Sequence, residues 1–189
     1  VLQTQTELDA INYILQIIGE QPVNSLPVEG FYTASLAQNT LNNVSREIQS
    51  RGCSFNTDIN YSLAQDVSGQ VTIPQNILGC NFKDSMYVQR ANKVYNIKEH
   101  TYTINTNVIC DIVWFLDFND LPQYAKGLIT IKAARKLLVE LIGSDTLLEE
   151  TKQQEYEAEL NFHRQEILTL KASMSNNAQI ANTCYRNRY

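Results

Sequence analysis

Near the start of the chain, Leu8, Ile11, Ile14, Leu15 and Ile18 recur at three- and four-residue steps and mark one face of a helix. Thr6 and Asp9 stand at the spacing of a capping box, with Asp in place of the commoner Glu, and Gly19 and Pro22 form the stop. Beyond a loop rich in turn residues, Ala37, Leu41, Val44 and Ile48 repeat the same period. They predict a second helix starting near Thr33 or Ser35 and ending at Arg51-Gly52. From Cys53 to Asp117 that period gives way to β-branched and aromatic residues alternating with polar ones. Met86–Arg90 and Lys93–Ile97, joined by Ala91-Asn92, predict a hairpin, and Thr101–Ile104 and Val108–Phe115 predict two further strands. Val71–Ile73 adds another, which Pro74 confines to an edge. Five or so short strands with one apolar face predict a single small sheet.

The helical period then returns. Asp120 is placed to cap and Pro122 to occupy the first turn of a helix running to Ile142, with Tyr124, Leu128, Ile131, Ala134, Leu138, Leu141 and Ile142 as its buried stripe. Gly143-Ser144-Asp145 stops and restarts the chain, so the next helix, Asp145 to Ser173 and about 45 Å long, should return antiparallel. Charge favours that pairing: residues 120–142 carry four basic and two acidic side chains, residues 145–173 three basic and seven acidic. Reflection through the turn sets Lys132 near Glu155, and Lys136 near Lys152 and Thr151. The predicted class is α+β. Residues 1–52 and 118–173 would form an antiparallel helical bundle, 53–117 an inserted antiparallel β-sheet domain, and 174–189 a polar, Asn-rich, flexible C-terminal tail.

Composition narrows the functions open to such a fold. A chain of 189 residues should bury roughly 70% of its unfolded surface without help from metals or disulfides. The net charge of −5 disfavours sequence-independent binding to nucleic acid. No apolar run reaches the length of about 20 residues that spans a bilayer. The start, Val1-Leu2-Gln3-Thr4, lacks the features of a signal peptide, so cytoplasmic synthesis is expected. Cys53, Cys80, Cys110 and Cys184 form no CxxC pair and are read as reduced thiols. Ten tyrosines against one tryptophan hint at contact surfaces, because tyrosine covers apolar area while its hydroxyl stays hydrogen-bonded.

Candidate chemistry is thin. Nucleophilic catalysis needs a base beside the nucleophile, yet only His100 and His163 are present and no GxSxG elbow occurs. Glu159 and His163 lie four apart on a helix, which is not the paired Glu-x-x-His pattern of a helical di-metal site, and no glycine motif forms a phosphate cradle. No cofactor or metal is therefore expected. Glu149, Glu150, Glu155, Glu157 and Glu159 are dense enough to suggest a carboxylate dyad, so a glycan hydrolase is the alternative reading. An acidic, solvated helix face is the simpler account of them. Tyr185, Arg186, Arg188 and Tyr189 have the residue types enriched at interface hot spots and are candidate partner-binding residues.

Several stretches, in order, resemble the tail tubular protein A family of T7-like short-tailed bacteriophages, the head-to-tail adaptors. They are Glu7–Asn12 through Ile17-Ile18-Gly19-Glu20-Gln21-Pro22-Val23, then Val44–Gly52 followed by Cys53-Ser54-Phe55-Asn56. Leu121-Pro122 through Ala133-Ala134-Arg135 and the acidic helix from Glu149-Glu150 complete the series. The resemblance covers about residues 7 to 165 of the chain. The family has an aromatic where Cys53 stands here, and the sequence diverges after Ser173. The resemblance implies a structural virion protein without enzymatic activity, located in the neck of the particle and assembled in the host cytoplasm. It also implies a dodecameric ring beneath the portal protein, with the tail nozzle or tube protein below. Genomic DNA would cross the channel without specific binding, and no membrane is involved. The long helix and the tail residues Tyr185, Arg186, Arg188 and Tyr189 would then reach the portal.

Overall fold

A computed structural model of the chain describes residues 5–26, 32–141 and 145–175. The chain divides into two compact units, one built from the residues up to Ser45 together with those from Phe118, the other from Arg46–Asp117.

The first unit is helical: α1 (Glu7–Ile17), α2 (Tyr32–Gln49, whose last turn enters the second unit), α3 (Gln123–Leu141) and α4 (Asp145–Ser175). The predicted capping box opens α1. The Thr6 hydroxyl accepts from the Asp9 N–H at 3.1 Å, and the Asp9 carboxylate accepts from the Thr6 N–H at 2.9 Å. The Thr6 hydroxyl also donates to that carboxylate at 2.7 Å, and this bond first, then the Thr6 N–H, holds the Asp9 carboxyl below its ordinary range. A group depressed in the folded state stabilises above its unfolded pKa. The box's contribution is therefore present at neutral pH and is lost as acidity passes through the depressed value.

A Schellman closure ends α1. The Glu20 N–H reaches the Leu15 carbonyl at 2.9 Å and the Gly19 N–H the Gln16 carbonyl at 3.2 Å, with Gly19 at φ +81°. The Asn12 side chain then holds Val23 from both sides, accepting from its N–H at 2.8 Å and donating to its carbonyl at 3.0 Å. The stretch Gly19–Val23 is thus a helix stop laid back along its own helix. Gly19→Ala should lower the stability of the bundle by about 1 kcal/mol in a thermal melt, because a Cβ is strained at that positive φ.

Helix α3 sits at the centre. Leu128, Ile131, Ala134 and Leu138 of the predicted stripe are buried, but so are Ala125, Lys126, Ile129, Thr130, Ala133 and Leu137. The arc is wider than predicted because α1 packs on α3 as well as α4. Leu141, predicted to be buried, is 45% exposed, and Ile142 lies outside the described residues. Buried Lys126 lays its stem in the core and donates to the Asn119 carbonyl at 2.8 Å.

The predicted hairpin of α3 and α4 is present, with a charged seam. Arg135 Nη1 lies 2.7 Å from Glu155, while Lys132 Nζ lies 3.8 Å from both Glu155 and Glu159. Farther along, the Tyr124 hydroxyl donates to Glu166 at 2.7 Å. Glu155 exposes only 13% of its side chain, so removing it takes the α4 carboxylate from two neighbouring cations of α3 and leaves Lys132 with Glu159 alone among these pairs. Glu155→Ala should cost about 1–3 kcal/mol in chemical denaturation, more than an exposed ion pair is worth.

The second unit departs from the single predicted sheet. It has a three-stranded antiparallel sheet in the order β1 (Thr57–Leu63), β5 (Val108–Trp114), β2 (Ile77–Phe82), and a separate hairpin of β3 (Tyr87–Arg90) and β4 (Lys93–Asn96). The hairpin and β5 match the prediction, whereas β1 and β2 were not foreseen. Val71–Ile73 and Thr101–Ile104 form no strand, only isolated bridges: Gln65 to Val71, Gln70 to Thr103, Thr72 to Lys93 and Asn96 to Thr101. His100 and Asn105, at φ +55° each, break the extended backbone on either side of Thr101–Ile104. Strand β1 carries a bulge between Asp58 and Tyr61. There Asn60 takes φ +59° and donates its N–H to Asp111 at 2.9 Å.

The core of this unit is Leu63, Val71, Ile73, Val94, Val108, Cys110 and Ile112. Cys53, Cys80 and Cys110 are free thiols as expected, and Cys184 lies outside the described residues. Burial pushes the Cys80 thiol up to about 12 and raises Cys110 as well, so both stay protonated and unreactive at neutral pH.

Two polar side chains brace the unit. Gln49, fully buried, pairs with Leu116 as a strand residue would, donating to its carbonyl at 2.9 Å and accepting from its N–H at 2.8 Å. Asn56, also buried, accepts from the Cys53 N–H at 2.9 Å and donates to the carbonyls of Gln49 at 3.0 Å and Trp114 at 2.8 Å. The last turn of α2, the turn after it and the end of β5 are thereby tied at one point.

Candidate functional site

The carboxylates of α4 do not converge. Glu155 and Glu159 turn toward α3, where Lys132 and Arg135 hold them. Glu149 pairs with Lys152 at 3.4 Å and Glu157 accepts from Gln153 at 2.8 Å, both on α4 itself, and Glu150 is exposed. A glycosidase dyad needs two carboxyls facing across a sugar-sized cleft. Here the helix divides the five between the α3 seam and solvent. The open cleft beside this helix is lined by Gln5, Tyr13, Gly127, Thr130, Ile131, Gln154 and Ala158, with none of the five among them. His163 stacks edge-on to Phe162 at 5.8 Å, while Glu159, four residues earlier, is engaged by Lys132. Among the described residues no three His, Cys, Asp or Glu side chains cluster as metal ligands would, and no helix is long and apolar enough to cross a membrane.

The arrangement offers surfaces instead. Helix α3 spans about 28 Å and α4 about 46 Å. The two run antiparallel from a short connection, so about 18 Å of α4 extends past the start of α3. On that extension Ile167, Leu168 and Leu170 are each about half exposed. Nearer the connection Tyr156 and Leu160 are exposed too, on the face turned away from buried Thr151 and Phe162.

A second surface lies on the β3–β4 hairpin. The Arg90 guanidinium covers the Tyr95 ring at 3.6 Å, and Tyr102 meets Tyr95 edge-on at 4.8 Å. The residues expected to bind a partner, Tyr185, Arg186, Arg188 and Tyr189, lie outside the described residues.

These surfaces and the absence of a converged dyad among the described residues fit a protein that works through contacts. Comparison with known proteins agrees. The family model described as tail tubular protein matches residues 8–171. Tail tubular protein A of Klebsiella phage KP34 is 30% identical over 146 residues, covering 74% of this chain and 75% of its own length. The chain therefore belongs to the tail tubular protein family, structural components of bacteriophage tails.

Proposed function

We propose that this tail protein is a head-to-tail adaptor: a ring, dodecameric by resemblance, that sits beneath the portal protein and carries the nozzle or tail tube protein below. It would be assembled in the host cytoplasm and act without catalysis. The observation that carries this reading is the 31-residue α4, which outruns its partner helix and exposes Ile167, Leu168 and Leu170 on the way to residues 174–189. A helix end with apolar side chains and no covering helix suits insertion against another protein. Tyr185, Arg186, Arg188 and Tyr189 would follow it onto the portal, and the β unit would face ring neighbours or the tail partner below. The net charge of −5 suits a DNA conduit, since repulsion from phosphate keeps the wall from holding the genome during ejection.

Light scattering and negative-stain microscopy of the purified protein, alone and mixed with its portal, test the proposal. A closed ring, formed alone or only on the portal, is the expected result. A monomer that ignores the portal would overturn it.

A further inference from the structure

We propose that the outward face of the β3–β4 hairpin, with Arg90, Lys98 and Tyr102, docks on the outward acidic face of α4 in a second copy of this chain. The inference rests on the ring reading and names the two surfaces that would meet in it.

The hairpin is the cationic part of an acidic protein. Between Lys83 and Tyr102 lie four basic and two acidic side chains, in a chain of net charge −5. Lys93 is occupied by Gln70 at 2.7 Å, and Lys83 by Asp111 at 2.5 Å. Arg90 lies over the Tyr95 ring and is still exposed, and Lys98 is exposed on the loop after β4. Both acids, Asp84 and Glu99, act on the Tyr87 hydroxyl, raising its pKa after burial does. Tyr87 pairs with Asn96 while Val88 pairs with Tyr95, so the alternation of the pleat puts Tyr87 on the face opposite Tyr95. The Tyr95 face is left with Arg90 and Lys93 beside the half-exposed side chains of Tyr102 and Ile97, and exposed Lys98 follows in the turn after β4.

Helix α4 presents the complement. Seven acidic and three basic residues lie along Asp145–Ser175. On the face turned from α3, Glu150 and Glu157 stand two turns apart, flanked by exposed Tyr156 and Leu160, with Arg164 as the nearest cation beyond them. Their separation along the axis is about 10 Å. Apolar centres and opposite charges therefore match in kind. A hairpin-to-helix contact joins two different surfaces, so it is heterologous and propagates around a ring.

Paired charge reversals test it. Arg90→Glu with Lys98→Glu gives a protein acidic on both surfaces, and Glu150→Lys with Glu157→Lys gives one basic on both. Under whichever condition assembles the unmodified protein, each variant alone should need about a hundredfold more protein to assemble, because like charges now face each other. An equimolar mixture should assemble at the original concentration with the two variants alternating. Should Arg90→Glu lower the melting temperature by uncovering Tyr95, Lys98→Glu alone carries the same comparison from an open loop. Variants that are folded yet assemble normally, or that fail to rescue each other, would overturn this inference and leave the ring reading standing. An unmodified protein that never self-associates would remove both. Normal assembly with lost binding to a short DNA duplex would assign the hairpin to nucleic acid and likewise overturn it.

Discussion

Asn56→Ala should cost the Arg46–Asp117 unit about 3–5 kcal/mol, the largest loss expected from a single exchange in this chain. The buried amide serves one backbone N–H and two backbone carbonyls, and an alanine removes all three bonds, the Gln49 carbonyl keeping the Gly52 N–H at 3.1 Å. A buried group that loses its partner carries a penalty of roughly 1–3 kcal/mol. Asn56→Asp sharpens the test. The carboxylate still accepts from Cys53 but now confronts the Gln49 and Trp114 carbonyls with a charge and no donor, so it should be no milder than alanine. Thermal melts followed through Trp114 fluorescence, with hydrogen exchange at β5, read both. A shift equivalent to less than 1 kcal/mol for either variant would mean that Asn56 is not the brace proposed here. Gln49→Ala should be nearly as severe and far from additive with Asn56→Ala, since the two side chains hold the same end of β5, at Leu116 and at Trp114.

Deleting residues 174–189 should abolish portal attachment while leaving the melting temperature of the rest unchanged. The segment removes Tyr185, Arg186, Arg188 and Tyr189, the residue types that dominate interface energetics. If two of the four act as anchors at about 2 kcal/mol each, affinity for the portal falls on the order of a thousandfold. Pull-down with the portal, and electron microscopy of particles carrying the deletion, separate this from a folding defect. Normal tails on such particles would sink the anchor role and move attention to Ile167, Leu168 and Leu170.

The helices were legible because each carries a complete local message. Thr6 and Asp9 cap α1, Gly19 stops it, and Ile11, Ile14 and Leu15 of its apolar steps are buried, with Leu8 and Ile18 partly so. The Lys132–Glu155 contact followed from the turn alone, since a short connection fixes the register of two antiparallel helices. The sheet was harder to read. In β1 only Leu63 is buried, so Thr57–Leu63 has almost no inward face to betray it. In β2 Gly79 stands where an apolar residue would signal a strand, with its backbone lying against Val113. Thr101–Ile104 shows the converse failure: its residue types favour strands, but the positive φ of His100 and Asn105 depends on tertiary context. Gln49 and Asn56 gave no signal, because buried amides are known only by the backbone they serve.

The bulge in β1 bears on how such a protein survives its own abundance. Strand β1 pairs with β5 on one side, and its other edge has no neighbour among the strands of that sheet. A flat, exposed edge of seven residues would invite the same strand of another molecule to zip onto it, the first step toward an amyloid-like stack. Asn60 turns that edge aside: its left-handed backbone splits the row of N–H and C=O groups into two runs too short to template a partner. Copies of this chain can crowd together during tail assembly and still be left to find one another by their side chains.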